Sequence, residues 1–225
     1  MPISDRLRAP APLRAAATGL ALLLALAACD PATMGAAAGP SRAKLNVAGQ
    51  AVTIAAPPGF CIDEDSITSG ADGAFVLMSD CGLLGADSGD RKPVGAALTA
   101  SISTGGFVGE GDTAAGSLED LKEFAATPEG RAVLGRGGRS DRVRILNTQV
   151  SGDVLYILVE DRGAAPIAGI DRQFWRAFLE VNGRLVALSV LGFEGAGIGP
   201  QDALNQLAAL ARTTQAANPR AAARG

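Results

Sequence analysis

The chain has 225 residues, 48% of them hydrophobic, a formal net charge of −3 and no histidine. A mildly acidic balance disfavours nonspecific nucleic-acid binding, which depends on neutralising phosphates. The lack of histidine removes imidazole acid–base catalysis, the usual Ser-His and Cys-His nucleophile pairs and most zinc sites.

Residues 1–14 carry Arg6, Arg8 and Arg14, and Ala15–Ala28 is an apolar run with a Leu-rich centre. As a helix such a run spans about 21 Å, short of the roughly 30 Å hydrocarbon core, so it reads as a signal peptide with its basic flank in the cytoplasm. The Arg residues are not adjacent, which disfavours the twin-Arg route. The run closes on Leu26-Ala27-Ala28-Cys29, which resembles the bacterial lipobox. That resemblance implies a bacterial lipoprotein precursor: residues 1–28 are removed, the Cys29 sulfur carries a diacylglycerol thioether, and its new amine is a site for acylation, palmitate being one such chain. Each buried methylene contributes about 0.8 kcal/mol, so two or three chains hold a protein that one would not. The removed segment has three Arg against Asp5, so the mature chain carries −5. Asp30 resembles the inner-membrane retention signal of enteric bacteria, a rule that varies between lineages and leaves the leaflet open.

Residues 29–43 are small and polar or Ala-rich and read as a lipidated N-terminus and tether. A single globular domain is expected over 44–217. Its first pieces are short strands at Val52–Ala55, Phe60–Ile62, Ala74–Ser79 and Ala97–Ser103. With Cys29 set aside, Cys61 and Cys81 remain as a pair. A structural disulfide is expected outside the cytoplasm, since a redox dithiol usually needs Cys-X-X-Cys spacing.

A Gly-rich loop, Gly105–Gly116, leads to a helix expected to be capped by Ser117, with Leu118, Leu121, Phe124 and Ala125 on one face. Thr127-Pro128-Glu129 restarts the helix with proline in its first turn, and Gly135 ends it. Four strands follow at Arg142–Val150, Asp153–Asp161, Arg172–Val181 and Arg184–Phe193, the last two joined by an Asn182-Gly183 turn. Trp175, Ala177, Leu179 and Val181 alternate with Phe174, Arg176, Phe178 and Glu180, so the sheet should be covered on part of each side. Pro200–Ala217 is an amphipathic helix and residues 218–225 a disordered tail.

These elements predict an α+β fold, an antiparallel sheet of about six strands flanked by helices. Their order resembles the PsbP-like fold, which implies architecture only. The segments Gly59-Phe-Cys-Ile-Asp, Phe75-Val-Leu-Met-Ser-Asp-Cys, Thr127-Pro-Glu-Gly-Arg-Ala and Trp175-Arg-Ala-Phe-Leu-Glu-Val-Asn-Gly-Arg-Leu-Val also resemble uncharacterised alphaproteobacterial envelope lipoproteins, which implies no activity.

Candidate sites divide by charge. Asp63-Glu64-Asp65 offers oxygens for calcium or a carboxylate pair. It lacks the central Gly and terminal bidentate Glu of a calcium loop, and a solvated loop is the plainer reading; the same holds for Glu110 and Asp112. The Gly-rich loop lacks the Gly-Lys-Ser/Thr ending of a phosphate loop. Arg131, Arg136, Arg139, Arg142 and Arg144 form the basic concentration, able on an anchored domain to face anionic headgroups. The alternative is a soluble loop neutralised by Glu129 and Asp141. Ser66, Ser69 and Ser117 have no evident base among Lys44, Lys92 and Lys122. No cofactor or metal pattern is present. The expected function is a non-catalytic periplasmic lipoprotein, held to the membrane by its N-terminal lipid, that binds or scaffolds an envelope protein or component. A carboxylate-based hydrolase and a small-ligand carrier are the alternatives.

Overall fold

The computed structural model describes residues 39–86, 92–106, 114–163, 168–196 and 198–219. The first 38 residues, with the leader, Cys29 and most of the tether, lie outside them, as do Glu110, Asp112 and 220–225 of the tail.

Alternation of apolar and polar residues builds the first elements. Strand β1 (Arg42–Val47) buries every second side chain and pairs with β2 (Gln50–Ala55) as a two-stranded hairpin. The domain therefore starts before Lys44: Arg42 already pairs with Ala55, and Pro40 O accepts from Ile62 N at 2.8 Å. Seven further strands form one antiparallel sheet: β3 (Phe60–Gly70), β4 (Gly73–Asp80), β5 (Ala96–Ile102), β6 (Val143–Ser151), β7 (Val154–Asp161), β8 (Gln173–Val181) and β9 (Arg184–Gly192). Their order is β3-β4-β5-β9-β8-β7-β6. Two meanders thus meet where β5 pairs with β9, and β3 and β6 are the edges.

Both sheet faces are used, as the alternation in β8 predicts. The first face carries Trp175, Ala177, Leu179 and Val181 and packs beneath the β1–β2 hairpin and α3 (Pro200–Ala217), whose Leu207, Leu210 and Ala211 are buried there. The second carries Phe174 and Phe178, with Leu155, Ile157 and Val159 of β7, beneath α1 (Ala114–Ala126) and α2 (Pro128–Leu134). These helices connect β5, in mid-sheet, to β6 at the far edge, and they pack mainly on β6 and β7. Farther along the same face Phe75, Leu77, Thr99 and Ala187 are half-buried and Ser101 is exposed.

Three expectations about helix ends meet the structure differently. Thr127 caps α2, its Oγ1 accepting from Gly130 N at 3.0 Å, with Pro128 opening the helix. Ser117 is not a cap: α1 starts a turn earlier at the strong helix former Ala114, which leaves Ser117 buried inside it. Asn218 is no frayed end, since its side chain bonds both Thr53 N (2.9 Å) and Thr53 O (2.6 Å) and so ties the end of α3 to β2.

Candidate functional site

The expected cysteine pair is joined. Cys61 and Cys81 lie 4.8 Å apart at their Cα atoms with the sulfurs bonded, linking β3 to the 3-10 turn Cys81–Leu84 that follows β4. Closing a loop of this size constrains the unfolded chain by about 3 kcal/mol in the entropy model. Asp80 reinforces the corner, its carboxylate accepting from Gly82 N and Val94 N, both at 2.9 Å.

The acidic run Asp63–Asp65 sits at a bulge in the edge strand β3, where the register shifts between Asp63 and Thr68. Glu64 and Asp65 are exposed, and Asp63 Oδ1 is used locally by Asp65 N at 3.2 Å. Ser66 donates to Asp63 O and accepts from Leu77 N, so its hydroxyl repairs the ladder at the bulge. Among the described residues no group of three or more Asp, Glu, Cys or His is placed to hold a metal ion.

The five arginines do not form one surface. Arg136 is a correction to the anionic-contact set: its side chain is only 7% exposed and runs inward to Asp161. There Nε stands 3.6 Å from Asp161 Oδ2, while the backbone N of Arg136 donates to the same oxygen at 2.7 Å and Gly163 N donates to Oδ1. Arg136 Nη1 and Nη2 reach the carbonyls of Asp171 and Asp161. Sequence spacing placed Arg136 with its neighbours, but the turn after α2 directs its side chain to the end of β7. Arg139 and Arg142 share Asp141, Arg144 meets Glu160 at 3.6 Å, and Arg131 donates to Ala126 O. A hydrogen bond from Arg139 holds the Asp141 carboxyl below its ordinary range.

Arg176 is the residue that sequence reading passed over. It lies on the second face of β8 between Phe174 and Phe178, opposite Ile157 of β7 and Ser189 of β9. Its guanidinium is 5.6 Å from the Phe174 ring centre, and that of Arg136 is 5.2 Å from the same ring. Burial pushes the Arg176 pKa down from its ordinary value, the like charge of Arg136 adds to this, and Asp161 opposes it. Its Nε is sealed from solvent and makes no hydrogen bond. A cation–π contact contributes about 0.5–2 kcal/mol, less than the several kcal/mol that desolvating an ion costs. The aromatic contact therefore leaves this charge undercompensated. The signal in the sequence was an arginine at an apolar-facing position of a strand alternating Phe174-Trp175-Arg176-Ala177-Phe178.

On the first face a cleft of about 500 Å³ opens between the ends of β7, β8 and β9 and the first turn of α3, lined by Glu160, Trp175, Val190, Glu194, Pro200 and Ala203 among others. Trp175 Nε1 donates to Pro200 O at 2.9 Å and holds α3 over the sheet. Glu160 is engaged by Arg144 and by Arg162 at 2.9 Å. No family model, curated protein or solved structure matches the chain.

Proposed function

We propose that the protein is a lipid-anchored, non-catalytic module of the bacterial envelope that faces the periplasm and binds or scaffolds an envelope protein or component. The Cys61–Cys81 bridge carries this reading. Such bonds persist in oxidising compartments, and the chain's third cysteine is Cys29, at the end of Leu26-Ala27-Ala28. The arrangement of strands and helices supports likeness to the PsbP-like architecture at the level of element order. Arg131, Arg139, Arg142 and Arg144 remain as groups able to meet anionic headgroups. A second reading, a carrier of a small ligand, is favoured by the cleft beneath α3.

Cells fed labelled palmitate test the first reading. The wild type is expected to take up label, to begin at Cys29 by mass spectrometry of its N-terminal peptide, and to fractionate with membranes. Cys29→Ser is expected to lose all three properties. A variant that is still cut before position 29 and remains in the membrane fraction overturns the anchor.

A further inference from the structure

At about 500 Å³, the cleft beneath α3 has the size of a small-molecule site. Leu158, Trp175 and Val190 form its apolar floor, and Ile198, Pro200 and Ala203 close it from the side of α3. Asp171 and Glu194 line it as well. Ile170 bridges Phe193, Asp171 N donates to Gly192 O at 2.9 Å, and Glu194 N donates to Gly169 O at 2.8 Å. Side chains alternate along such a ladder, so Asp171 and Glu194 share one face as diagonal neighbours, about 7–8 Å apart.

Gly192 makes room for the first of these carboxylates. A Cβ at Gly192 would stand 2.7 Å from Asp171 Oδ2 and 3.0 Å from Ile198 Cγ2, so the half-buried Asp171 carboxylate lies over Gly192 beside an apolar wall. Among the described residues no hydrogen-bond donor or cation is bonded to the carboxylate of Asp171 or of Glu194. Glu160, by contrast, is held by Arg144 and Arg162. Arg172, the basic residue of the lining, is exposed and pairs with neither free carboxylate. The neighbours in sequence outside the described residues, 164–167 and Gly197, bring no charged side chain.

A partly desolvated carboxylate without a donor favours a cation delivered to it, because hydrogen bonds to charged groups are the strong ones. Exposed charges farther out are screened by solvent and weigh less than direct contact. A metal ion does not fit, since among the described residues no group of three or more Asp, Glu, Cys or His is placed to hold one. The apolar floor calls instead for a carbon body. We propose that this cleft binds a small primary amine with an apolar body, its ammonium on Asp171 and Glu194 and its body over Trp175 and Val190. An ammonium has three N–H donors, enough to serve both carboxylates. This deepens the reading of the cleft as a carrier site and rests on it; it depends on neither Cys29 nor a protein partner.

The test uses the full chain in nanodiscs of zwitterionic lipid, with benzylamine as the probe and the fluorescence of Trp175, the chain's one tryptophan, as the readout. A saturable change is expected for the wild type at neutral pH. Asp171→Asn is expected to weaken binding at least tenfold and Glu194→Gln several-fold, while Glu64→Gln on the β3 edge leaves it unchanged. Benzyl alcohol and benzoate, which keep the ring and lack the ammonium, are expected not to displace benzylamine. If Asp171→Asn fails to fold, Glu194→Gln, at an exposed position, decides in its place. Equal binding by the folded variants, an equal loss in Glu64→Gln, or displacement by benzyl alcohol or benzoate overturns the amine and leaves a carrier of some other ligand. No saturable response to any of the three compounds overturns the amine and removes the support for the carrier reading with it.

Discussion

Asp161 and Tyr156 show how differently two side chains on one strand depend on their surroundings. Asp161 is 2% exposed and accepts from Arg136 N and Gly163 N while neutralising the Arg136 guanidinium. Removing one partner of a buried pair strands the other charge, which costs about 3–5 kcal/mol. Asp161→Asn is therefore expected to lower stability by roughly that amount in urea unfolding. Tyr156 is the chain's one tyrosine, and burial raises its pKa against the opposing pull of Arg212. The folded protein holds this proton more tightly than the unfolded chain does. Its contribution to stability is therefore full below the ordinary tyrosine value near 10 and is lost as pH climbs from there through the raised value. Ultraviolet absorbance should titrate above pH 10 in the native protein and about there in urea, and Tyr156→Phe should flatten this alkaline loss of stability. The Arg136–Asp161 pair was hidden in the sequence because its members are 25 residues apart and meet only through the turn after α2.

Local chemistry made some elements plain and obscured others. The turn joining β8 to β9 has φ of 51° at Asn182 and 72° at Gly183, which an Asn-Gly pair accepts readily. The β1–β2 turn has nearly the same form, with φ of 46° at Ala48 and 81° at Gly49, yet alanine bears the left-handed position. Ala48→Asn is expected to stabilise the domain by about 1 kcal/mol in thermal unfolding, and Ala48→Val to destabilise it. This missing turn signal helps explain why β1 was not read as a strand, its first two residues being given to the tether, while its partner β2 was legible. Strands β6 to β9 and helix α3 were legible to within one or two residues because their periodicity is strong and large apolar side chains carry it. β3 was expected to stop at Ile62 and runs on to Gly70, since an edge strand tolerates the polar Asp63–Ser66 stretch at its bulge.

At the scale of the molecule, the sheet leaves two strand edges to protect. Bulges and charge do this on both sides: the shift at Asp63/Thr68 with exposed Glu64 and Asp65 on β3, and the shift at Ile145/Asn147 beside Arg144 on β6. Charged, irregular edges resist pairing with another chain. The acidic run thus acquires a physical role that requires no ligand. Glu64→Thr/Asp65→Val is expected to leave the unfolding midpoint nearly unchanged while promoting concentration-dependent association, visible by light scattering. The class of fold was legible, but the site was less so. Phe174 stands two residues from Arg176 on the same strand, but Arg136 reaches the pair only through the turn after α2, a relation that no local period contains.

The way the chain enters the domain sets how a pull would be borne. Gly39 passes so close to the corner that an added Cβ would stand 2.8 Å from Ile62 O and 3.4 Å from Cys61 Cβ, and Ser41 O accepts from Ala56 N at 2.9 Å. Traction on the amino end would be delivered first to the corner where the sulfurs are joined, ahead of the hairpin or the large sheet. The covalent link then serves as a strain relief, and the reduced protein should yield at lower force when stretched from that end.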